Sequence, residues 1–389
     1  MALLYLKMIQ RALEHIIQMR LYSGKVILLL GPRQVGKTTL LKKLFPMQED
    51  VLWLEGDEKD VQDLFEQASA SRLKAFFGTK KTVIIDEAQR IKEIGLRMKL
   101  IADQIKEVQL IATGSSAFEL ANHLNEPLTG RKWEYKMYPV SFEEMVRHHG
   151  LLEETRLLSH RLVYGYYPEV VTNTGKERDI LKQLSDSYLY KDVLLLEQIK
   201  KPEAIVKLLQ ALAYQIGSQV SYNELSNLTG LDAKTVEKYI YVLEQTYVIF
   251  RLCSFSRNLR SELKKSRKIY FYDNGIRNAI IANFTPIESR MDAGALWENF
   301  LMSERKKYLE YHRQWANNWF WRTKEQNEID YIEEEGGLLR AYEFKWNPKA
   351  KVKLPKTFLQ TYPNSQFAII HPGNVEDFLL KQEEPNLNI

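Results

Sequence analysis

Short uncharged apolar runs alternate with amphipathic stretches over the first third of the chain. Val26-Leu30, Val51-Leu54, Thr82-Ile85 and Val108-Ala112 read as buried strands, and Lys37-Phe45 reads as a helix. Apolar strands separated by helical segments predict an α/β domain built on a parallel sheet. Ahead of them Leu3, Leu6, Ile9, Leu13, Ile16 and Ile17 recur near helical spacing, interrupted by Lys7, Arg11, Glu14 and Arg20. That pattern suits an amphipathic packing helix better than a signal peptide.

From Thr155 to Lys200 the pattern is helical, with Tyr188, Leu189, Val193, Leu194 and Leu195 on one repeat. Ser221 to Gly230 and Ala233 to Gln245 read as helix, tight turn and helix, with apolar faces at Leu225, Leu228, Val236, Ile240 and Leu243. A strand from Val248 to Phe255, a basic stretch and a strand from Lys268 to Tyr272 complete the pattern of a winged helix. Beyond Pro286 come a helix around Trp297 to Tyr308, further strands and a polar tail. The expected organisation is a parallel-sheet domain over 1–150, a helical connector over 151–204, a winged helix over 205–284 and an α/β domain over 285–389.

A length of 389 residues favours two or three domains. With 45% hydrophobic and 27% charged residues the chain is not a disordered one. Its single cysteine, Cys253, excludes an internal disulfide and any Cys-rich zinc module, and fits a reducing cytoplasm. The seven histidines lack metal-ligand spacing, and no apolar run approaches the ~18 residues that would span a bilayer. The net charge of +5 matters only once located. Arg257, Arg260, Lys264, Lys265, Arg267 and Lys268 stand against Glu262 alone, an excess equal to that of the whole chain. Such a patch on a wing predicts contact with duplex DNA phosphates, with Lys234 and Lys238 adding to it. Many winged helices instead join proteins, and Glu237 and Glu244 on the second helix suit that alternative.

Candidate chemistry begins at Gly31-Pro32-Arg33-Gln34-Val35-Gly36-Lys37-Thr38, which matches G-x-x-x-x-G-K-[ST] between a strand and a helix. In such a loop, backbone amides of residues 31–39, Thr39 included, close around phosphates at a helix N-terminus. Lys37 is expected to reach the β- and γ-phosphates of ATP, and Thr38 to bind Mg²⁺. Thr82-Val-Ile-Ile-Asp86-Glu87 is a strand ending in two carboxylates: Asp86 for the same Mg²⁺ and Glu87 to polarise water. The second acid points to hydrolysis rather than phosphoryl transfer to a small molecule.

With these motifs the chain resembles the AAA-type P-loop ATPases, and more closely a bacterial and archaeal group in which such an ATPase precedes a C-terminal region of unknown function. The resemblance rests on GPRQVGKTTLL, IIDEAQ, IATGSS, LTGR, YPVSFEE, YYPEVV, YLYKDV, YFYDNGIRN, EIDY and YEFKW. It implies that Thr113 senses the γ-phosphate. It also implies that Arg131 is an arginine finger, acting between subunits of an oligomer, or else a surface arginine. Gly165-Tyr166-Tyr167-Pro168 departs from the paired glycines more usual in the group.

The segment from Glu328 to Lys345 predicts a hairpin turning at Gly336-Gly337, which sets Asp330 opposite Glu343 and Glu328 opposite Lys345. Alternation then puts Asp330, Glu343 and Lys345 on one face. Facing carboxylates repel unless a cation lies between them. The arrangement resembles that of restriction-endonuclease-like PD-(D/E)xK domains, in which acids hold Mg²⁺ and lysine activates water; Glu298 resembles the further acid of such folds. Three functions are thus in view: an ATPase moving its C-terminal half on DNA, an ATP-gated nuclease, and a switch that grips a protein partner.

Overall fold

The computed structural model describes residues 8–46, 48–66, 68–115, 128–186, 202–256, 266–323, 327–352 and 356–380. Two compact units divide the chain, one drawn mainly from residues 1–140 and the other mainly from residues 141–389.

In the first unit, helix α1 (Leu13–Gln18) precedes β1 (Val26–Leu30), α2 (Lys37–Leu44) and β2 (Val51–Glu55). Then follow α3 (Lys59–Glu66), α4 (Ala70–Phe77), β3 (Thr82–Asp86), α5 (Ile94–Gln104), β4 (Gln109–Gly114) and β5 (Lys132–Lys136). The strands form a sheet in the order β2-β3-β4-β1-β5, parallel throughout. Every residue of β1, β3 and β4 is buried, which is why these strands carry apolar runs instead of alternation. Because β4 separates β1 from β3, the end of β4 stands between the loop that follows β1 and the acids that end β3.

The second unit opens with α6 (Phe142–His149), whose first turn carries a capping box between Ser141 and Glu144. Among the described residues α7 (Leu151–Arg156), α8 (Leu158–Tyr164), α9 (Pro168–Thr172), α10 (Glu177–Leu184) and α11 (Pro202–Tyr214) follow. Next come β6 (Gln219–Val220), α12 (Tyr222–Thr229), α13 (Ala233–Gln245), β7 (Ile249–Cys253) and β8 (Arg267–Phe271), the strands forming an antiparallel sheet in the order β6-β8-β7. The rest of the unit is α14 (Asn274–Ile280), α15 (Ala293–Tyr311), β9 (Asn317–Arg322), β10 (Glu328–Glu335), β11 (Leu338–Phe344), α16 (Lys356–Thr361), β12 (Gln366–Ile370) and α17 (Glu376–Leu379). These strands make a mixed sheet in the order β12-β11-β10-β9. A bridge between Ser254 and Phe320 continues the β7 chain alongside β9, so the two sheets of this unit are stitched together.

Pairs from Tyr331–Tyr342 to Glu335–Leu338 hold the hairpin in the register that the glycine turn predicts. Against β9, however, β10 carries an irregularity between Ile329 and Ile332. These two residues, three apart, both enter the core cluster with Phe255, Leu339, Ala341 and Phe358. Simple alternation cannot do that; a bulge can, and it re-aims Asp330 between them.

Hydrogen bonds to backbone account for the polar residues between 273 and 278. Asp273 caps α14 through the Ile276 N–H and also accepts from the Tyr166 N–H at 2.7 Å. Asn274 and Asn278 donate to carbonyls at the end of α8, and Asn299 of α15 bonds both the Phe271 backbone and Asn274. Nearby, Glu154 is fully buried and accepts from Arg161, Tyr166 and His149. Breaking a buried pair of this kind costs about 3–5 kcal/mol. The unusual turn at Gly165 belongs to the same junction. Its φ is +71°, and a Cβ there would lie 2.1 Å from the Asp273 carboxylate. Gly165→Ala should therefore lower the urea midpoint of the full chain, by about 2–4 kcal/mol of stability. Circular dichroism checks this; an unchanged midpoint would mean that Asp273 swings aside at no cost.

Candidate active site

The loop after β1 is shaped by close packing. Gly31 passes so near Met137 that a Cβ would lie 2.0 Å from the Met137 carbonyl oxygen. Pro32 and Val35 are buried, Arg33 and Gly36 half-buried, and Gln34 and Thr39 exposed at the loop and helix start. Lys37 is buried and its ammonium donates to the Gly31 and Pro32 carbonyls, each at 2.8 Å, which keeps the chain curled along the loop.

Asp86 receives hydrogen bonds on both carboxylate oxygens. Thr38 Oγ1 donates to Oδ2 at 2.6 Å, and Thr113 Oγ1 donates to Oδ1. Thr113 in turn accepts the Glu87 N–H at 3.0 Å. One hydroxyl at the end of β4 thus ties the two acids together, as the strand order permits. Glu87 has φ of +49°, a conformation uncommon for a non-glycine residue, and its carboxylate accepts from the Gln89 amide. Gln89 also donates to Ser115 at 3.0 Å. The set holds what a Mg²⁺-nucleotide requires: an anion cradle, an ammonium, a hydroxyl with a carboxylate for the metal, and a second carboxylate aimed beside them.

Arg131 is not with them. β1 and β5 run parallel with Val26 opposite Lys132, so Arg131 precedes the strand at the far edge of the sheet, about one strand length (~15 Å) from the loop. There it pairs with Asp103 at 2.6 Å and is partly exposed, away from its own loop, a placement that says nothing of a finger acting on a neighbouring subunit. In its place stands a residue that the pattern did not single out for chemistry. Arg11, buried just before α1, donates to the Val35 carbonyl at 2.6 Å and the Tyr138 carbonyl at 2.7 Å, clamping the loop from outside. Its one sequence signal is a charge interrupting an apolar helix face. Glu55, opposite Asp86 in register, was likewise unforeseen; burial and the Asp86 charge raise its pKa.

The second predicted cluster assembles differently from expectation. Lys268, on β8, turns inward with its side chain 3% exposed. Its ammonium lies 2.6 Å from Glu328, 3.0 Å from Glu298 and 4.0 Å from Asp330. Tyr270 donates to the same Glu298 oxygen at 2.6 Å, Phe344 N–H donates to Asp330 at 2.8 Å, and Lys345 pairs with Glu343 at 2.6 Å. Burial lifts the Glu298 carboxyl to about 7 even though Lys268 pulls it down, and burial raises Asp330 and Glu343 too. Glu328 therefore faces Lys268 and not Lys345. Among the described residues no group of three or more His, Cys, Asp or Glu side chains is arranged to hold a metal. The sequence set Lys345 beside Glu298, Asp330 and Glu343; the structure adds to these acids a lysine from another strand, Lys268.

Lys268 is corrected in a second respect, since a buried ammonium cannot touch DNA. Arg267 stacks over Tyr222 and lies 3.5 Å from Glu237, while residues 257–265, with the rest of the basic stretch, fall outside the described residues.

Sheet, loop and acids together define a P-loop ATPase-like domain. Comparison with known proteins agrees. A family model described as "AAA domain" matches residues 23–146; two described as "Domain of unknown function", DUF8612 and DUF4143, match residues 155–287 and 293–384. An uncharacterized protein of Mycobacterium tuberculosis is 24% identical over 361 residues, 91% of this chain and 78% of its own. One from Methanocaldococcus jannaschii is 22% identical over 340 residues, 81% and 74% of the two chains. A Walker-type ATPase of Pyrococcus abyssi superposes with a TM-score of 0.50 at 15% identity, over 70% of this chain and 96% of that one, a likeness of fold. No helix among the described residues is long and apolar enough to cross a membrane.

Removing the Arg11 clamp tests its role. Arg11→Met should weaken binding of a fluorescent ATP analogue about tenfold, the loss of one charge-assisted hydrogen bond or so. Unaltered affinity in a folded variant would show that the loop holds its shape alone.

Proposed function

We propose that this protein is a Mg²⁺-dependent ATPase whose nucleotide state repositions its second unit, with duplex DNA as the partner. The observation that carries the ATPase reading is the Asp86 carboxylate held between Thr38 and Thr113, with Glu87 next in the chain. Lys37 neutralises phosphate charge, and the loop amides orient it. Thr38 and Asp86 would hold Mg²⁺, which supplies charge stabilisation to the phosphoryl group in flight. Glu87 accepts a proton from the attacking water, and Gln89 fixes its carboxylate for that task. Thr113 links Asp86 to the Glu87 backbone, so a change at the phosphates is felt at both acids.

The DNA reading is supported by the helix-turn-helix of α12 and α13, followed by antiparallel β7 and β8. It is supported too by the cations Arg257, Arg260, Lys264 and Lys265, which remain once Lys268 is withdrawn to the interior. We read this as a winged helix, whose wing would meet phosphates. A protein partner in place of DNA is the outcome that salt-insensitive binding would favour.

ATP hydrolysis measured with Mg²⁺, with and without duplex DNA, at two salt concentrations tests both parts, with Lys37→Ala as the blank. Lys37-dependent turnover stimulated by DNA at low salt is expected. Glu87→Gln should lower turnover by about 10²-fold or more while still binding ATP. Normal turnover in that variant would assign the water to another residue. Charge reversal at Arg257, Arg260, Lys264 and Lys265 should weaken duplex binding and flatten its salt dependence, roughly one unit of slope per lost phosphate contact. Unchanged affinity and slope would remove DNA from the reading.

A further inference from the structure

The acids of the C-terminal domain already meet donors, and Lys268 serves two of them. Lys268 reaches Glu298 from α15 and Glu328 from β10, and Asp330 lies just beyond hydrogen-bond range. Tyr270 shares the Glu298 oxygen that Lys268 uses. The Phe344 backbone N–H takes the Asp330 oxygen turned away from Lys268, and Lys345 takes Glu343. Arg322 stands 3.6 Å from the second Glu328 oxygen. The bulge in β10 and the inward turn of β8 bring this about together, so a residue of the small antiparallel sheet sits among the acids of the mixed sheet.

A divalent ion entering this place would have to take the position of the Lys268 ammonium, which lies within 4.0 Å of Glu298, Glu328 and Asp330. It would leave a buried ammonium with nowhere in water to go, and an uncompensated buried charge is strongly destabilising. Mg²⁺ adds its own resistance, because it gives up its water shell reluctantly. Residues that resemble a metal-dependent nuclease centre thus do not fit a metal here.

We infer that Lys268 is the resident cation of this cluster: its ammonium closes the acids of the C-terminal domain to divalent metal and locks β8 to α15 and β10. In this conformation the acid cluster is a cohesive contact and not a metal-dependent phosphodiesterase centre. Nothing in this inference depends on the ATP site.

The test is Mn²⁺ binding by the full chain without nucleotide, read from the electron paramagnetic resonance of free Mn²⁺. Wild type, Asp330→Asn, Lys268→Met, Lys268→Arg and the double variant Lys268→Met/Asp330→Asn are compared, which separates this cluster from the phosphate loop. Wild type and Asp330→Asn should bind alike, and so should Lys268→Arg. Lys268→Met should bind Mn²⁺ at least about tenfold more tightly, a difference of about 1.4 kcal/mol, and lose that gain in the double variant. Two results would overturn the inference: wild-type binding that falls in Asp330→Asn, or a folded Lys268→Met variant that gains none. Should Lys268→Met not fold, the comparison of wild type with Asp330→Asn decides alone.

Discussion

A charge taken out of water must be met by a partner inside the protein, and this constraint organises both units. The loop after β1 keeps its form because Arg11 spends its guanidinium on two carbonyls of the loop and of the segment after β5. The junction of the second unit holds Glu154 among Arg161, Tyr166 and His149. Under the mixed sheet Arg305 makes a two-pronged pair with Glu333, both buried. None of these contacts contributes much net stability against an apolar equivalent, yet removal of one partner leaves the other stranded.

The same constraint separates the two clusters that look alike in composition. Asp86 is satisfied by neutral hydroxyls, from Thr38 and Thr113. Hydroxyls can rotate, and one of them can join a metal as a ligand, so the site can accept a cation without stranding a charge. Glu298 and Glu328 are met by an ammonium, with Asp330 4.0 Å from it. An ammonium cannot become a ligand and cannot leave at low cost. Two acid groups of similar residues therefore differ in what they can do: the first is open to chemistry and the second serves cohesion. Function here follows from which donors answer the carboxylates, not from the carboxylates themselves.

Much of the first domain was legible along the chain. The strands β1, β3 and β4 are buried on both faces, so their apolar runs needed no tertiary information, whereas the half-buried, charged β5 carried no such run; the spacing of the phosphate loop is fixed by its local backbone. The hairpin register also followed from Gly336 and Gly337, because a two-residue turn determines which residues pair. What was not legible depended on long-range placement. Arg11 meets Tyr138 across 127 positions, and only the parallel register shows that Arg131 lies before the edge strand, away from its own loop. That the turn at Gly165 packs against the Asp273 carboxylate could not be read from either segment alone.

Local geometry is written in neighbouring residues, so the sequence by itself determined the parallel-sheet unit, the phosphate loop, the two acids at the end of β3 and the hairpin near the end of the chain. Only the tertiary structure decided which charges meet. Lys268 and Glu328 are sixty positions apart, and a bulge and a strand crossing bring them to 2.6 Å. A pairing of that kind depends on how whole elements pack, and no pattern within either segment encodes it.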